Sequence, residues 1–168
     1  MFPMFQILSV LLTSLAMALS VAHALELPGK LRLDQPTYTA VQAIYYPGFT
    51  IGGMVGEAGG ILATLALLLV TPTHDPTFGW TLAALILLVA SHASYWLFTH
   101  PVNRFWLHGQ ELHRLGTKFF GFDPLKRAAD GGPDAWLRFR TRWEYSHVVR
   151  AALAAASLTA LVTGVALE

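Results

Sequence analysis

The sequence predicts an all-α integral membrane protein, a four-helix bundle with amphipathic interfacial helices between its third and fourth spans. Only 12% of the 168 residues are charged, against about 25% in an ordinary soluble domain. Hydrophobic residues make up 54% of the chain, and they gather in four stretches, each near the roughly 20 residues that cross a bilayer. This composition excludes a disordered chain and argues against a soluble globule.

The first predicted span runs from about Phe2 to Leu25. It ends in Ala22-His23-Ala24, which resembles a signal-peptidase site. The residues before the span carry no Lys or Arg, whereas Lys30 and Arg32 follow it closely. We therefore expect a retained membrane anchor, with a cleaved signal peptide as the alternative.

Three further spans complete the predicted bundle. They run from about Phe49 to Val70, from about Phe78 to Phe98 and from about Val148 to Leu167. Glycine and proline residues lie near the ends of the spans, as expected at helix boundaries. No internal repeat divides the chain, so residues 1–168 are predicted to form a single membrane domain.

The basic residues are distributed on one side of this topology. Every Lys and Arg either follows the first span or lies between the third span and the first turn of the fourth. By the positive-inside rule this side is cytoplasmic and both termini are outside. The expected location is a bacterial inner membrane.

The stretch between the third and fourth spans, residues 101–143, interleaves basic with aromatic residues. Such a mixture is typical of one or two helices that lie in the headgroup layer with their apolar face down. Because these aromatic residues serve as membrane anchors, the expected partner is the lipid bilayer, and no nucleic-acid partner is expected.

Ionisable residues within the spans are costly in a membrane and indicate function by default. Six of them fall in the half of the spans on the basic side: His23, Glu26, Glu57, His92, His147 and Arg150. Spacings of three and four residues place His23 with Glu26, and Trp143 with His147 and Arg150, on shared helix faces. The sequence therefore predicts a polar pocket in the cytoplasmic half of the bundle.

The chain contains no cysteine, so any metal must be held by histidine and carboxylate ligands. The candidate metal ligands are His23, Glu26, Glu57, His92 and His147. The cofactor stays open at this stage: iron, copper, a haem held by His92 and His147, or none.

Four segments together resemble the anthrone oxygenase-like family of small four-span membrane proteins. They are Ala22–Leu31, Val41–Phe49, His100–Asn103 and Arg142–Arg150. Pro101-x-Asn103 and Trp143-x-x-x-His147-x-x-Arg150 carry most of the likeness. The resemblance implies a membrane four-helix bundle and oxygenation of an aromatic polyketide such as an anthrone. It also implies roles for Asn103, His147 and Arg150.

The leading functional hypothesis is a membrane oxidoreductase, possibly a monooxygenase, acting on a lipophilic small molecule. His147 or His92 would remove a proton from an acidic carbon, and the resulting carbanion would react with oxygen. Arg150 and Asn103 would stabilise the oxyanion. The aromatic walls that hold the substrate or cofactor would be Tyr95, Trp96 and Trp143.

Two alternatives remain open beside the oxidoreductase. One is a metal- or haem-binding membrane protein. The other is a non-catalytic subunit of a larger membrane complex or a homo-oligomer. In that case the glycines of the second span, Gly52, Gly56 and Gly60, would form the interface.

Overall fold

The computed structural model describes residues 2–107, 114–122 and 134–167. The helices are α1 (Phe2–Lys30), α2 (Gln35–Gln42), α3 (Gly48–Val70), α4 (Phe78–Ser94), α5 (His100–Trp106), α6 (Arg114–Gly121) and α7 (Ala135–Ala166), with a 3₁₀ turn at Ala43–Tyr45 and a π-helical turn at Tyr95–Thr99. Throughout the described ranges there is no β-strand. Four helical segments are long and apolar enough to cross a membrane: Phe2–Lys30, Gly48–Val70, Pro76–Asn103 and Ala135–Ala166. The predicted all-α membrane bundle is confirmed.

The fourth spanning helix is longer than its apolar part. It begins at Ala135, not at Val148, because no glycine or proline interrupts the chain from Ala135 to Thr163. The end of the stretch predicted to be interfacial therefore forms the first turns of α7. Residues 108–113 and 123–133 of that stretch lie outside the described residues, as do His108 and His113.

The third span continues past Pro101 into α5. Proline lacks an N–H, and its ring displaces the carbonyl four residues earlier, which here is that of Leu97. The turn before Pro101 widens into a π-helix, in which the His100 N–H donates to the Tyr95 carbonyl. The Leu97 carbonyl accepts instead from the Arg142 guanidinium of α7. Asn103 and His92 therefore lie on one continuous helical segment, Pro76–Asn103.

Helices α1 and α3 approach each other closely at glycines. A Cβ on Gly56 would lie 2.7 Å from the Ala16 backbone nitrogen, and one on Gly60 would lie 3.4 Å from the Thr13 hydroxyl. The glycine face therefore packs within the chain, as small residues do between membrane helices. It does not provide the intermolecular interface that the subunit alternative requires.

We expect Gly56→Ala to destabilise the bundle by about 1–3 kcal/mol, because the added methyl collides with backbone that cannot rotate away. Gly79→Ala is the matched control, since a Cβ at Gly79 meets no atom within 4 Å. Equilibrium unfolding in mixed micelles measures both variants. Equal stability of the two would contradict the close approach of α1 and α3.

Candidate functional site

A cavity of about 110 Å³ lies at the basic end of the bundle, where α1 ends, α3 and α7 begin, and α5 follows the third span. Nine of the ten residues predicted for the site line it: His23, Glu57, His92, Tyr95, Trp96, Asn103, Trp143, His147 and Arg150. Glu26 does not. The predicted residues thus come together from four different spans.

Glu57 joins three of the spanning helices at the centre of this cavity. Its Oε1 accepts from Arg150 Nε at 3.1 Å and from Arg150 Nη2 at 2.5 Å. Its Oε2 accepts from His92 Nδ1 at 3.0 Å. The Glu57 side chain is only 3% exposed, so the buried carboxylate is stable only because these charge-assisted bonds compensate it.

His92 uses both of its ring nitrogens within the protein. Nδ1 faces the Glu57 carboxylate, which can only accept, so Nδ1 carries the proton. Nε2 then holds the lone pair, and it accepts from the Trp96 indole N–H at 2.9 Å. His92 therefore has no lone pair left for a base or for a metal or haem ligand. Its two hydrogen bonds connect the Glu57 carboxylate with the Trp96 indole.

The His147 ring differs from the His92 ring in the hydrogen bonds of its nitrogens. Its Nδ1 lies 2.9 Å from the Trp143 carbonyl and donates to it. Among the residues that the structure describes, none hydrogen-bonds to Nε2, and the ring is 3% exposed. The His23 ring packs edge-on against it, with 4.2 Å between the ring centroids. His147 thus presents a basic nitrogen in a buried, cavity-lining position.

The Asn103 side chain is oriented by a hydrogen bond from Trp143 of α7. Its Oδ1 accepts from the Trp143 indole N–H at 2.7 Å, which leaves the amide NH₂ as the donor. The Tyr95 hydroxyl lies 3.0 Å from His100 Nδ1. Asn103 and Arg150 both line the cavity, and the Arg150 guanidinium lies 5.2 Å from the Tyr95 ring.

Glu26 belongs to a neighbouring ionic cluster. It is 41% exposed and lies 2.8 Å from the Lys30 ammonium, and it accepts from the Tyr45 hydroxyl at 2.6 Å. Burial and the nearby carboxylate raise the pKa of Tyr45 above its usual range, so this hydroxyl remains a donor. Glu26 is thus a partner for Lys30 and not a cavity residue.

The sequence reasoning missed Lys30 and Glu144 as parts of the site's surroundings. Lys30 is 4% exposed and Glu144 is fully buried, and the ammonium lies 3.7 Å from the Glu144 carboxylate. Lys30 Nζ also lies 3.5 Å from His23 Nδ1. The sequence does contain one signal for Lys30. It follows His23 by seven residues, which is two turns along one helix face.

The predicted metal site is not supported. Within residues 2–107, 114–122 and 134–167 there is no group of three or more His, Asp or Glu side chains that could hold a metal ion. Glu26 does not line the cavity, and Glu57 and His92 hydrogen-bond to each other. The five proposed ligands, His23, Glu26, Glu57, His92 and His147, therefore do not fit a metal centre.

Comparison with known proteins identifies one family. A sequence model described as anthrone oxygenase matches residues 49–160, which is more than half of the chain. The matched region contains eight of the nine predicted residues that line the cavity, all except His23. No curated protein and no solved structure matches the chain at a significant level.

Proposed function

The chain belongs to the anthrone oxygenase family, and on that premise we propose that it is a membrane monooxygenase acting on a lipophilic aromatic carbon acid. The observation that carries the proposal is the unpartnered Nε2 of His147 in the cavity wall. An imidazole nitrogen that keeps its lone pair and lies beside the ligand can take a proton from an acidic carbon.

In the proposed reaction a CH₂ group becomes a ketone and dioxygen supplies the oxygen. His147 Nε2 takes one proton from the CH₂ group, and the carbanion passes an electron to O₂. The two radicals couple to form a C–O bond, and the peroxide recovers the proton from His147. The second C–H proton then leaves, the O–O bond breaks, and the released hydroxide takes that proton to become water.

Arg150 and Asn103 are the proposed electrostatic partners of this reaction. Anthrone-type carbanions carry their charge mainly on the carbonyl oxygen, so donors aimed at that oxygen lower the barrier. The Asn103 amide and the Arg150 guanidinium both line the cavity. Glu57 and His92 act through Arg150, because they fix its orientation.

The aromatic side chains of the cavity suit a planar ligand. Trp143 and Trp96 both line it, one on α7 and the other on the π-helical turn. Such walls bury a large apolar area and favour stacked or edge-on rings. We also propose that the basic end faces the cytoplasm of a bacterial inner membrane, in keeping with the positive-inside rule.

The test is turnover by the purified protein in lipid nanodiscs. Anthrone is supplied with dissolved oxygen, and anthraquinone formation and oxygen uptake are followed together. We expect formation of the ketone well above spontaneous autoxidation, with one O₂ consumed per ketone. A rate equal to that of empty nanodiscs would overturn the proposed function.

A further inference from the structure

The residues that line the cavity differ in how exposed they are on the outer surface of the bundle. The lining residues of α7 are buried, with Trp143 and His147 at 3% and Arg150 at 7% exposure. Between the second and third spans, by contrast, Met54 is 48% exposed and the His92 side chain is 31% exposed. Of the lining residues that the structure describes, Met54 is the most exposed, so an accessible part of the cavity wall lies between α3 and α4.

Gly53 and Trp96 both line the cavity beside this gap. Gly53 precedes Glu57 by one helical turn and Trp96 follows His92 by one turn, and the Glu57–His92 hydrogen bond pins the two antiparallel helices together. A Cβ on Gly53 would meet no atom within 4 Å, although Gly53 lines the cavity. Unlike Gly56, Gly53 is therefore not a packing glycine, and its missing side chain leaves an opening.

The gap faces lipid. Met54, which borders it on α3, lines the cavity and is 48% exposed, and the next residue, Val55, is 49% exposed. On the other side Leu97 and Phe98 are 42% and 46% exposed. Exposed apolar side chains in a spanning segment lie against acyl chains, because no polar surface competes for them there.

The route along the bundle axis is covered instead. Phe120 of α6 is 3% exposed and packs on the Tyr46 ring at 5.8 Å and on the His100 ring at 6.1 Å. The backbone carbonyl of Phe122 accepts from His100 Nε2 at 2.6 Å. Within the part of the chain that the structure describes, α6 thus lies over the basic end of the cavity.

We propose that the gap between α3 and α4, lined by Gly53, Met54, His92 and Trp96, is a lateral portal through which an uncharged lipophilic ligand passes from the bilayer into the cavity. A ligand that partitions into hydrocarbon reaches the site without crossing water. A charged ligand is rejected, since its transfer into the hydrocarbon layer is costly. The portal rests on the proposed function only for the identity of the ligand.

The chain lacks cysteine, so a single cysteine placed in the portal reacts alone. In vesicles, Gly53→Cys is expected to react with uncharged N-ethylmaleimide about tenfold or more faster than with a sulfonated maleimide, because the charged reagent does not enter hydrocarbon. Thr73→Cys, in the exposed loop between α3 and α4, is the reference that both reagents reach. Equal rates of the two reagents at position 53 would show that it faces water and would overturn the portal.

Ligand entry is tested on the same labelled protein, which has folded before it is modified. Anthraquinone binding is followed by quenching of tryptophan fluorescence. We expect N-ethylmaleimide on Gly53→Cys to slow binding about tenfold or more by blocking access. The same modification of Gly79→Cys, which also has open space around it but does not line the cavity, has no effect.

The outcomes separate the two proposals. Unchanged binding after labelling at position 53 would overturn the portal and leave the proposed oxygenase intact. Failure of the unmodified protein to bind anthraquinone would count against the proposed function. The reagent preference at position 53 would still decide the portal, since that measurement involves no ligand.

Discussion

His147→Gln is expected to lower kcat by about two to four orders of magnitude, the range that a positioned general base contributes. Glutamine retains the size and a hydrogen-bond donor for the Trp143 carbonyl, but it has no basic nitrogen to replace Nε2. The ligand still fits the cavity, so the dissociation constant of anthraquinone is expected to change little. Steady-state turnover and fluorescence titration of the same preparation measure the two quantities.

Two other histidines serve as comparisons for this substitution. His74→Gln is expected to leave turnover unchanged, because His74 is exposed in the loop at the opposite end of the bundle. His92→Gln is expected to lose far less activity than His147→Gln, since an amide can donate to Glu57 and accept from Trp96 in the same place. If His92→Gln were inactive and His147→Gln active, the assignment of the base would be wrong.

Arg150→Met is expected to cost about 3–5 kcal/mol of stability, because it leaves the Glu57 carboxylate buried with only one neutral partner. The free energy of unfolding is measured by titration with denaturing detergent in mixed micelles. Glu57→Gln leaves the reverse defect, a buried guanidinium without its anion, and is expected to be similarly harmful.

The double variant Glu57→Gln with Arg150→Met distinguishes pairing from general damage. Removing both charges leaves no uncompensated ion, so the double variant is expected to be more stable than Arg150→Met alone. Additive losses would contradict the buried ion pair. Turnover remains low in the double variant, since the proposed oxyanion donor Arg150 is absent.

The cluster of polar residues was predictable from sequence because membrane spans constrain depth. Residues near the same end of antiparallel spans meet at one level, and charges within a span must find partners there. Glu57, His92, His147 and Arg150 could therefore be placed together from their positions alone. Helical spacing also predicted that Trp143 would share a face with His147.

The division of roles within the cluster could not be predicted in this way. His92 and His147 look equivalent in sequence, and only the direction of their hydrogen bonds separates the engaged ring from the one with a vacant nitrogen. Glu26 was predicted as a metal ligand without its pairing to Lys30, which the sequence analysis used only as a basic residue after the first span. One turn along α1, Lys30 binds that carboxylate directly.

The central claim is that His147 initiates oxygen insertion in a cavity within the membrane. It is tested most directly by a single turnover of anthrone under isotopically labelled oxygen gas, with product analysis by mass spectrometry. We predict that the wild-type protein places the label from O₂ in the new ketone, and that His147→Gln forms no labelled ketone above the autoxidation background. Labelling by His147→Gln at the wild-type rate, or a wild-type ketone whose oxygen comes from water, would contradict the claim.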